Sequence, residues 1–376
     1  MKTICVSVSN DLYNDNRVLR TCSSLSSLGL NVKVICKDTT KNRKKQYAPL
    51  EKKYSFLRIH RLGFIFRKNF LYYAELNIRI FCTLLFQKVD ILWANDLDTL
   101  PANYIISKLK HIPLIFDSHE MFCYVAELRP NSFQQKCWLK IEKSIVPKLK
   151  YIVTVCNPIK EYFKKQYNVD ATVIRNIPPY IENNNPKKVF PLTEKYIIWQ
   201  GATNIDRGLE ELITAMQYID CKLIICGNGD IFPLLQKLVN TYHLHTKVLL
   251  KGKIDFEKMM LLTRNASLGI SIDKPTNQNY AISLPNKIFE YINSATPVLY
   301  SPLTEIKAIE EEFITGIALQ GYETSTLASQ INEILSNNSL LQQLSDNCLI
   351  AQKYLNWQNE QQILHNLLET ILQQRL

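Results

Sequence analysis

Pro285-Asn286-Lys287, followed three positions after the lysine by Glu290, places a turn, a cation and a carboxylate within about one helical turn of each other. Ile288, Phe289 and Ile292 recur at helical spacing, and Pro297 ends that run before Val298-Leu299-Tyr300, which reads as a strand. A helix starting here exposes the backbone amides of Asn286 and Lys287. With the positive end of the helix dipole and the charge of Lys287, they suit a phosphate. Glu290 could then accept hydrogen bonds from the vicinal hydroxyls of a ribose, the division of labour seen in dinucleotide folds. An ordinary solvated helix start carries the same pattern, so spacing alone leaves both readings open.

Two further groups follow strand-like runs. Asp117-Ser118-His119-Glu120 comes after Pro113–Phe116, and a histidine flanked by carboxylates at a strand end has the surroundings to be oriented and tuned near neutrality. A structural role for a lone histidine stays open beside a catalytic one. Asp96-Leu97-Asp98 has the D-x-D form by which some sugar transferases hold a metal, but Asp98 or Thr99 is equally placed to cap a helix that Pro101 helps to start. No paired Cys or His spacing accompanies it among ten cysteines and six histidines, so no metal site is expected.

The elements that must hold these groups alternate. Thr3–Ser9 reads as a buried strand, Asp15–Leu28 as a helix before Gly29, and Val32–Cys36 as the next strand, a β-α-β opening that argues for a parallel sheet covered by helices. The polar loop Asn10, Asp11, Asn14, Asp15, Asn16 and Arg17 lies where open α/β sheets take ligands, but without the glycine fingerprint of a dinucleotide site. Strands Val89–Ala94, Pro113–Phe116 and Tyr151–Val155 follow, with helices Ser132–Val146 and, capped by Asn157-Pro158, up to Gln166. Ile177–Pro186 breaks both periodicities and reads as a linker. A second alternation runs through strands Tyr196–Trp199, Leu223–Cys226, Val248–Lys251 and Leu268–Ile272, and the tail Leu340–Leu376 is helical in pattern.

A chain of 376 residues that is 46% hydrophobic can fill two cores. Cysteines without C-x-x-C pairs, several inside apolar runs, suit a reducing compartment. Ile4–Val8 is too short for a signal peptide, and no run approaches 18 uncharged apolar residues, so a cytoplasmic protein is expected. The net charge of +11 is concentrated between Lys41 and Lys88, where twelve Lys or Arg face only Glu51 and Glu75. Phe64, Ile65, Phe66, Phe70, Leu71, Tyr72 and Tyr73 are interleaved with them, a combination suited to the anionic inner face of a membrane, while a charged helix face beside an ordinary core is the alternative. Nucleic acid is not expected, since no binding motif accompanies the charge.

Five segments together resemble the family-4 retaining glycosyltransferases (glycosyl transferases group 1): Ile174-Arg175-Asn176, the run from Gly201 through Arg207-Gly208-Leu209-Glu210-Glu211-Leu212-Ile213, Cys226-Gly227-Asn228-Gly229-Asp230, Gly252, and Leu284-Pro285-Asn286-Lys287-Ile288-Phe289-Glu290. The resemblance implies an α/β GT-B fold: two Rossmann-like doubly wound domains facing a cleft, with a C-terminal helix packing back on a domain. The boundaries implied are 1–180 for the acceptor-side domain, 181–350 for the nucleotide-sugar domain and 351–376 for the helix. It implies a retaining hexosyltransferase that moves a sugar from a nucleotide-diphosphate sugar to a glycolipid or polysaccharide acceptor, without metal or other cofactor. His119, Arg207 and Lys287 then take catalytic roles, and Glu290, Asn286, Pro285, Gly227 and Gly252 hold the donor. Two departures stand out: Ile282 replaces the first glutamate of the family's E-x7-E, and Ala202 replaces an arginine. They keep two alternatives in view, a GT-B nucleotide-sugar epimerase and a catalytically silent scaffold.

Overall fold

The computed structural model describes residues 1–13, 15–39, 43–66, 69–125, 128–180, 188–190, 192 and 195–373. Asn14 of the first loop, Lys41, Arg67 and Lys68 of the basic span, linker residues 181–186 and tail residues 374–376 lie outside them. The chain divides into two compact units, Met1–Asn176 with Gln361–Leu376, and Ile177–Glu360.

The first unit holds seven parallel strands: β1 (Thr3–Ser7), β2 (Asn31–Lys37), β3 (Arg58–Leu62), β4 (Ile91–Asn95), β5 (Leu114–Ser118), β6 (Tyr151–Thr154) and β7 (Thr172–Val173). Their order is β3-β2-β1-β4-β5-β6-β7. The second unit holds six: β8 (Tyr196–Gln200), β9 (Lys222–Cys226), β10 (Val248–Gly252), β11 (Leu268–Ser271), β12 (Val298–Tyr300) and β13 (Gly316–Ala318), ordered β10-β9-β8-β11-β12-β13. These too pair in parallel. Helices on both faces bury the central strands completely, which is why β4 (ILWAN) and β8 (YIIWQ) are continuous rather than alternating apolar runs. In each sheet the winding reverses once, between β1 and β4 and between β8 and β11, and the loops leaving those strands open a crevice at their carboxyl ends.

Local chemistry explains most boundaries. The Asp15 side chain accepts from the Val18 amide at 3.0 Å and starts helix Asn16–Ser27; Ser132 and Asp255 do the same for Phe133–Ile145 and Phe256–Asn265. Glycine is scarce, and several left-handed positions are taken by Asn131, Asn168, Asp96 and Asp206 instead.

Two local expectations are corrected. Neither Asp98 nor Thr99 caps a helix: the helix begins at Asp96, directly after β4, and runs to Lys110 with Pro101 inside it. The break that Pro101 imposes is bridged by a neighbour, because Asn77 Nδ2 donates to the Asp98 carbonyl (2.8 Å) while its Oδ1 accepts from the Ala102 amide (3.0 Å). Asn157 is the first helical residue rather than the cap, so its side chain is not needed at the end of Asn157–Tyr167. The tail forms two helices, Asn338–Ala351 and Trp357–Gln373. The basic span contains strand β3 and helices Arg43–Lys53 and Asn69–Phe86, the last with Leu76, Ile80 and Leu84 buried.

Candidate functional site

In the second unit, the loop after β8 carries Arg207 and the loop after β11 carries Asp273, so the two flank the point where the sheet reverses. Arg207 Nη1 donates to Asp273 Oδ2 at 2.9 Å, and Lys287 Nζ donates to the other oxygen, Oδ1, at 3.1 Å. One carboxylate with 1% of its side chain exposed thus binds two cations. Each cation also rests on an aromatic face, Arg207 at 4.4 Å from the Tyr280 ring centre and Lys287 at 4.4 Å from that of Trp199. Burial pushes the Lys287 ammonium below its usual value and the Arg207 charge adds to that, while Asp273 opposes both.

Pro285 occupies the cap position of helix Asn286–Asn293 and supplies no side-chain cap, so the helix presents its first amides beside Lys287. Asn286 is exposed. Glu290, one turn along, accepts from Gln200 Nε2 at the end of β8, and Gln200 Oε1 accepts from Thr263 Oγ1 at 2.6 Å, which fixes the amide's orientation. Gly227 stands at the end of β9 with φ +150°, where an added Cβ would lie 1.7 Å from the Gly201 carbonyl oxygen. No other residue fits there. Its amide donates to the carbonyl of Gly252, the last residue of β10, at 2.8 Å. Three glycines, Gly201, Gly227 and Gly252, therefore stand at the carboxyl ends of three adjacent strands, where they add no side chain of their own.

His119 belongs to the first unit and has a separate set of partners. Its Nδ1 lies 3.1 Å from Asp96 Oδ2 and its Nε2 3.3 Å from Asp117 Oδ2, while its amide donates to Asp96 Oδ1 at 2.9 Å. Asp117, at the end of β5, also takes Arg17 Nη2 at 2.6 Å, and Arg17 Nη1 donates to the Ile174 carbonyl at 2.8 Å. Burial disfavours the imidazolium, but Asp96 and Asp117 outweigh it and hold the ring well above its usual value. For Asp117 burial is likewise outweighed, by Arg17 and His119, and the carboxyl sits well below the usual carboxylate range. Rather than being tuned near neutrality, the ring has a carboxylate near each nitrogen, and these favour its protonated form. The D-x-D pair is split: Asp96 serves His119, whereas Asp98 is buried, and burial together with the Asp96 charge pushes its carboxyl up to about 7. Among the described residues no three His, Cys, Asp or Glu side chains converge as a metal site.

The structure brings Arg207, Lys287, Pro285, Asn286 and Glu290 together in the second unit, with Gly227 and Gly252 on neighbouring strand ends. Asp273, Gln200, Trp199 and Thr263 take no assigned role from sequence alone. Asp273 had one usable signal, a lone acid two residues past the strand on the far side of the reversal. The aromatic supports had none, because Tyr280 lies 73 residues from Arg207 and Trp199 lies 88 from Lys287.

The chain matches Glycosyltransferase Family 4 over residues 15–184 and Glycosyl transferases group 1 over residues 181–348. It is 20% identical over 276 residues to an alpha-D-kanosaminyltransferase of Streptomyces kanamyceticus, covering 67% of this chain and 69% of that one. It is 26% identical over 182 residues to the O-antigen chain mannosyltransferase RfbU of Salmonella typhimurium, covering 46% and 48%. Among solved structures, a sucrose-phosphate synthase from Thermosynechococcus elongatus superposes with a TM-score of 0.76 at 16% identity, covering 99% of both chains. HepE of Anabaena in complex with UDP gives 0.73 at 14%, covering 98% of this chain and 100% of the other. Two parallel sheets reversed at matching points, with the family's segments at their carboxyl ends, thus coincide with matches across nearly the whole chain, and the protein belongs to the group 1 glycosyltransferases of GT-B fold.

Proposed function

We propose that the protein transfers a hexose from a nucleotide-diphosphate sugar to a glycolipid or polysaccharide acceptor with retention of anomeric configuration, in the building of a cell-surface polysaccharide. The observation that carries the donor assignment is the Arg207–Asp273–Lys287 group at the sheet reversal, beside a helix start without a side-chain cap. The diphosphate lies against Arg207, Lys287 and the amides of Asn286 and Lys287, and Glu290 receives the ribose hydroxyls one turn on. As the glycosidic bond to the diphosphate breaks, these groups take up the charge of the leaving oxygen, so no metal is needed for that purpose. His119 is assigned to the sugar end of the donor, where a sugar oxygen could meet a ring N–H only in exchange for one of the two carboxylates. The ligands of similar proteins point the same way, since HepE was solved with UDP and with UDP-glucose.

The acceptor side rests on the helix Asn69–Phe86, where Phe70, Leu71, Ile78 and Phe86 are exposed, while Tyr72 turns inward and donates to the Ser9 carbonyl at 2.9 Å. Apolar groups beside a basic segment suit an anionic membrane carrying a lipid-linked acceptor. No helix among the described residues is long and apolar enough to cross a membrane. The decisive experiment is mass spectrometry and NMR of products from a panel of nucleotide sugars with a lipid acceptor extract, in EDTA, for wild type, Arg207→Ala and Glu290→Ala. An α-linked product from an α-donor, lost in both variants, is expected. Undiminished transfer in both would sink the site assignment, and turnover of the donor without acceptor would replace transfer by epimerisation. Flotation with anionic liposomes tests the membrane contact separately.

A further inference from the structure

The two cations assigned to the donor diphosphate are already bound to an anion of the protein itself. Asp273 places one oxygen on each of them, at 2.9 and 3.1 Å, and only 1% of its side chain is exposed. Its backbone is held as well, by the Tyr322 hydroxyl, which donates to the Asp273 carbonyl at 3.1 Å. A carboxylate that merely positioned Arg207 and Lys287 would be their main support. Each cation instead has a second, uncharged one, the Tyr280 ring under Arg207 and the Trp199 ring under Lys287. What Asp273 supplies that the rings do not is negative charge.

We propose that Asp273 is an internal stand-in for the diphosphate: it neutralises Arg207 and Lys287 until a more highly charged anion displaces it, and so selects diphosphates over weaker anions. This inference rests on the donor-site reading. With one positive charge left over from two cations and one carboxylate, the group attracts an anion but makes it compete. A singly charged ligand gains no more than Asp273 already provides. A nucleoside diphosphate carries more charge and more oxygens, and can engage Arg207 while its second phosphate meets the amides at the start of Asn286–Asn293. Glu290 faces the same lysine and adds to the negative field that an incoming anion must overcome.

Calorimetric titration of pyrophosphate, UDP, GDP and ADP into wild type and Asp273→Asn tests this. The asparagine keeps the shape and removes the competing charge, so pyrophosphate and whichever nucleotide binds should bind tighter by about tenfold or more. Asp273→Glu, which keeps the charge, should show no such gain. Should Asp273→Asn be too unstable to titrate, its melting temperature is followed with excess pyrophosphate, which should raise it by more than it raises the wild type's. Equal or weaker binding by Asp273→Asn, with the wild type binding a diphosphate, would overturn the stand-in role and leave the donor site intact. Failure of both proteins to bind any of the four ligands would remove the donor site as well.

Discussion

The two sheets end in groups built from similar parts and charged differently. In the first unit the charges alternate, Arg17, Asp117, His119, Asp96, two cations and two carboxylates that leave no excess. In the second, Arg207 and Lys287 share the single carboxylate of Asp273, with Glu290 facing the same lysine from further off. Burial does not separate the groups: Arg17 and Arg207 are 5% and 22% exposed, whereas His119 and Lys287 are 21% and 7% exposed. Both groups occupy the carboxyl ends of strands near the reversal of a doubly wound sheet. The shared fold therefore fixes where such groups lie, and they differ in arrangement: charges that alternate around His119 in the first unit, and two cations on one carboxylate beside a helix start in the second.

The largest expected difference is in stability. Asp117→Asn strands two cations, one of them an arginine that cannot lose its charge, and should cost about 3–5 kcal/mol in denaturant unfolding. Asp273→Asn should cost clearly less, because Arg207 reaches solvent and keeps its aromatic support, and Lys287 can give up a proton that burial already loosens. Equal losses would break the comparison. For activity the ranking is on the other side: Arg207→Ala should lower the transfer rate about 10²–10³-fold with little change in melting temperature, as expected when one preorganised stabiliser of the leaving group is removed.

How far this was legible beforehand depended on range. Strands buried on both faces, such as β4 and β8, announce themselves as short apolar runs, and caps such as Asp15 and Asp255 are local, so the parallel sheets and the helix start at Asn286 could be read directly. Pro101 misled, because the Asn77 amide that repairs the helix around it comes from another element. The site failed for the same reason. Lys287 and Arg207 were visible as cations, but their shared partner lies 14 residues from one and 66 from the other, and nothing in spacing reveals that two positive groups meet one acid. The charge state of His119 was equally hidden: its neighbour Asp117 is close in sequence, whereas Asp96 is 23 residues away.

A smaller effect follows from that charge state. Asp96 and Asp117 raise the folded-state value of His119, so the folded protein keeps a proton that the unfolded chain releases near pH 6.5. The resulting stabilisation is complete below about pH 6.5 and is lost as pH climbs through the raised folded value, with a slope of up to about 1.4 kcal/mol per pH unit. Unfolding free energies from pH 6 to 9 should fall more steeply for wild type than for His119→Asn. Asp96→Asn lowers the folded value, so the loss should begin at the same pH and end at a lower one, with a smaller total. Parallel profiles for wild type and His119→Asn would mean that the ring is not held as a cation.

The smallest effect belongs to the rings beneath the second unit's cations. Tyr280→Leu keeps an apolar surface under Arg207 but removes the π face, an interaction worth about 0.5–1 kcal/mol at a partly exposed site. Diphosphate affinity should fall by about two- to fivefold, with the transfer rate at saturating donor unchanged. The same substitution in Asp273→Asn should cost more, because there the ring is Arg207's main remaining support once the carboxylate charge is gone. Measured as a double-mutant cycle, the coupling between Tyr280 and Asp273 separates support from charge. No coupling would mean that neither partner holds the arginine when the other is absent, and that its position is set by the loop after β8 alone.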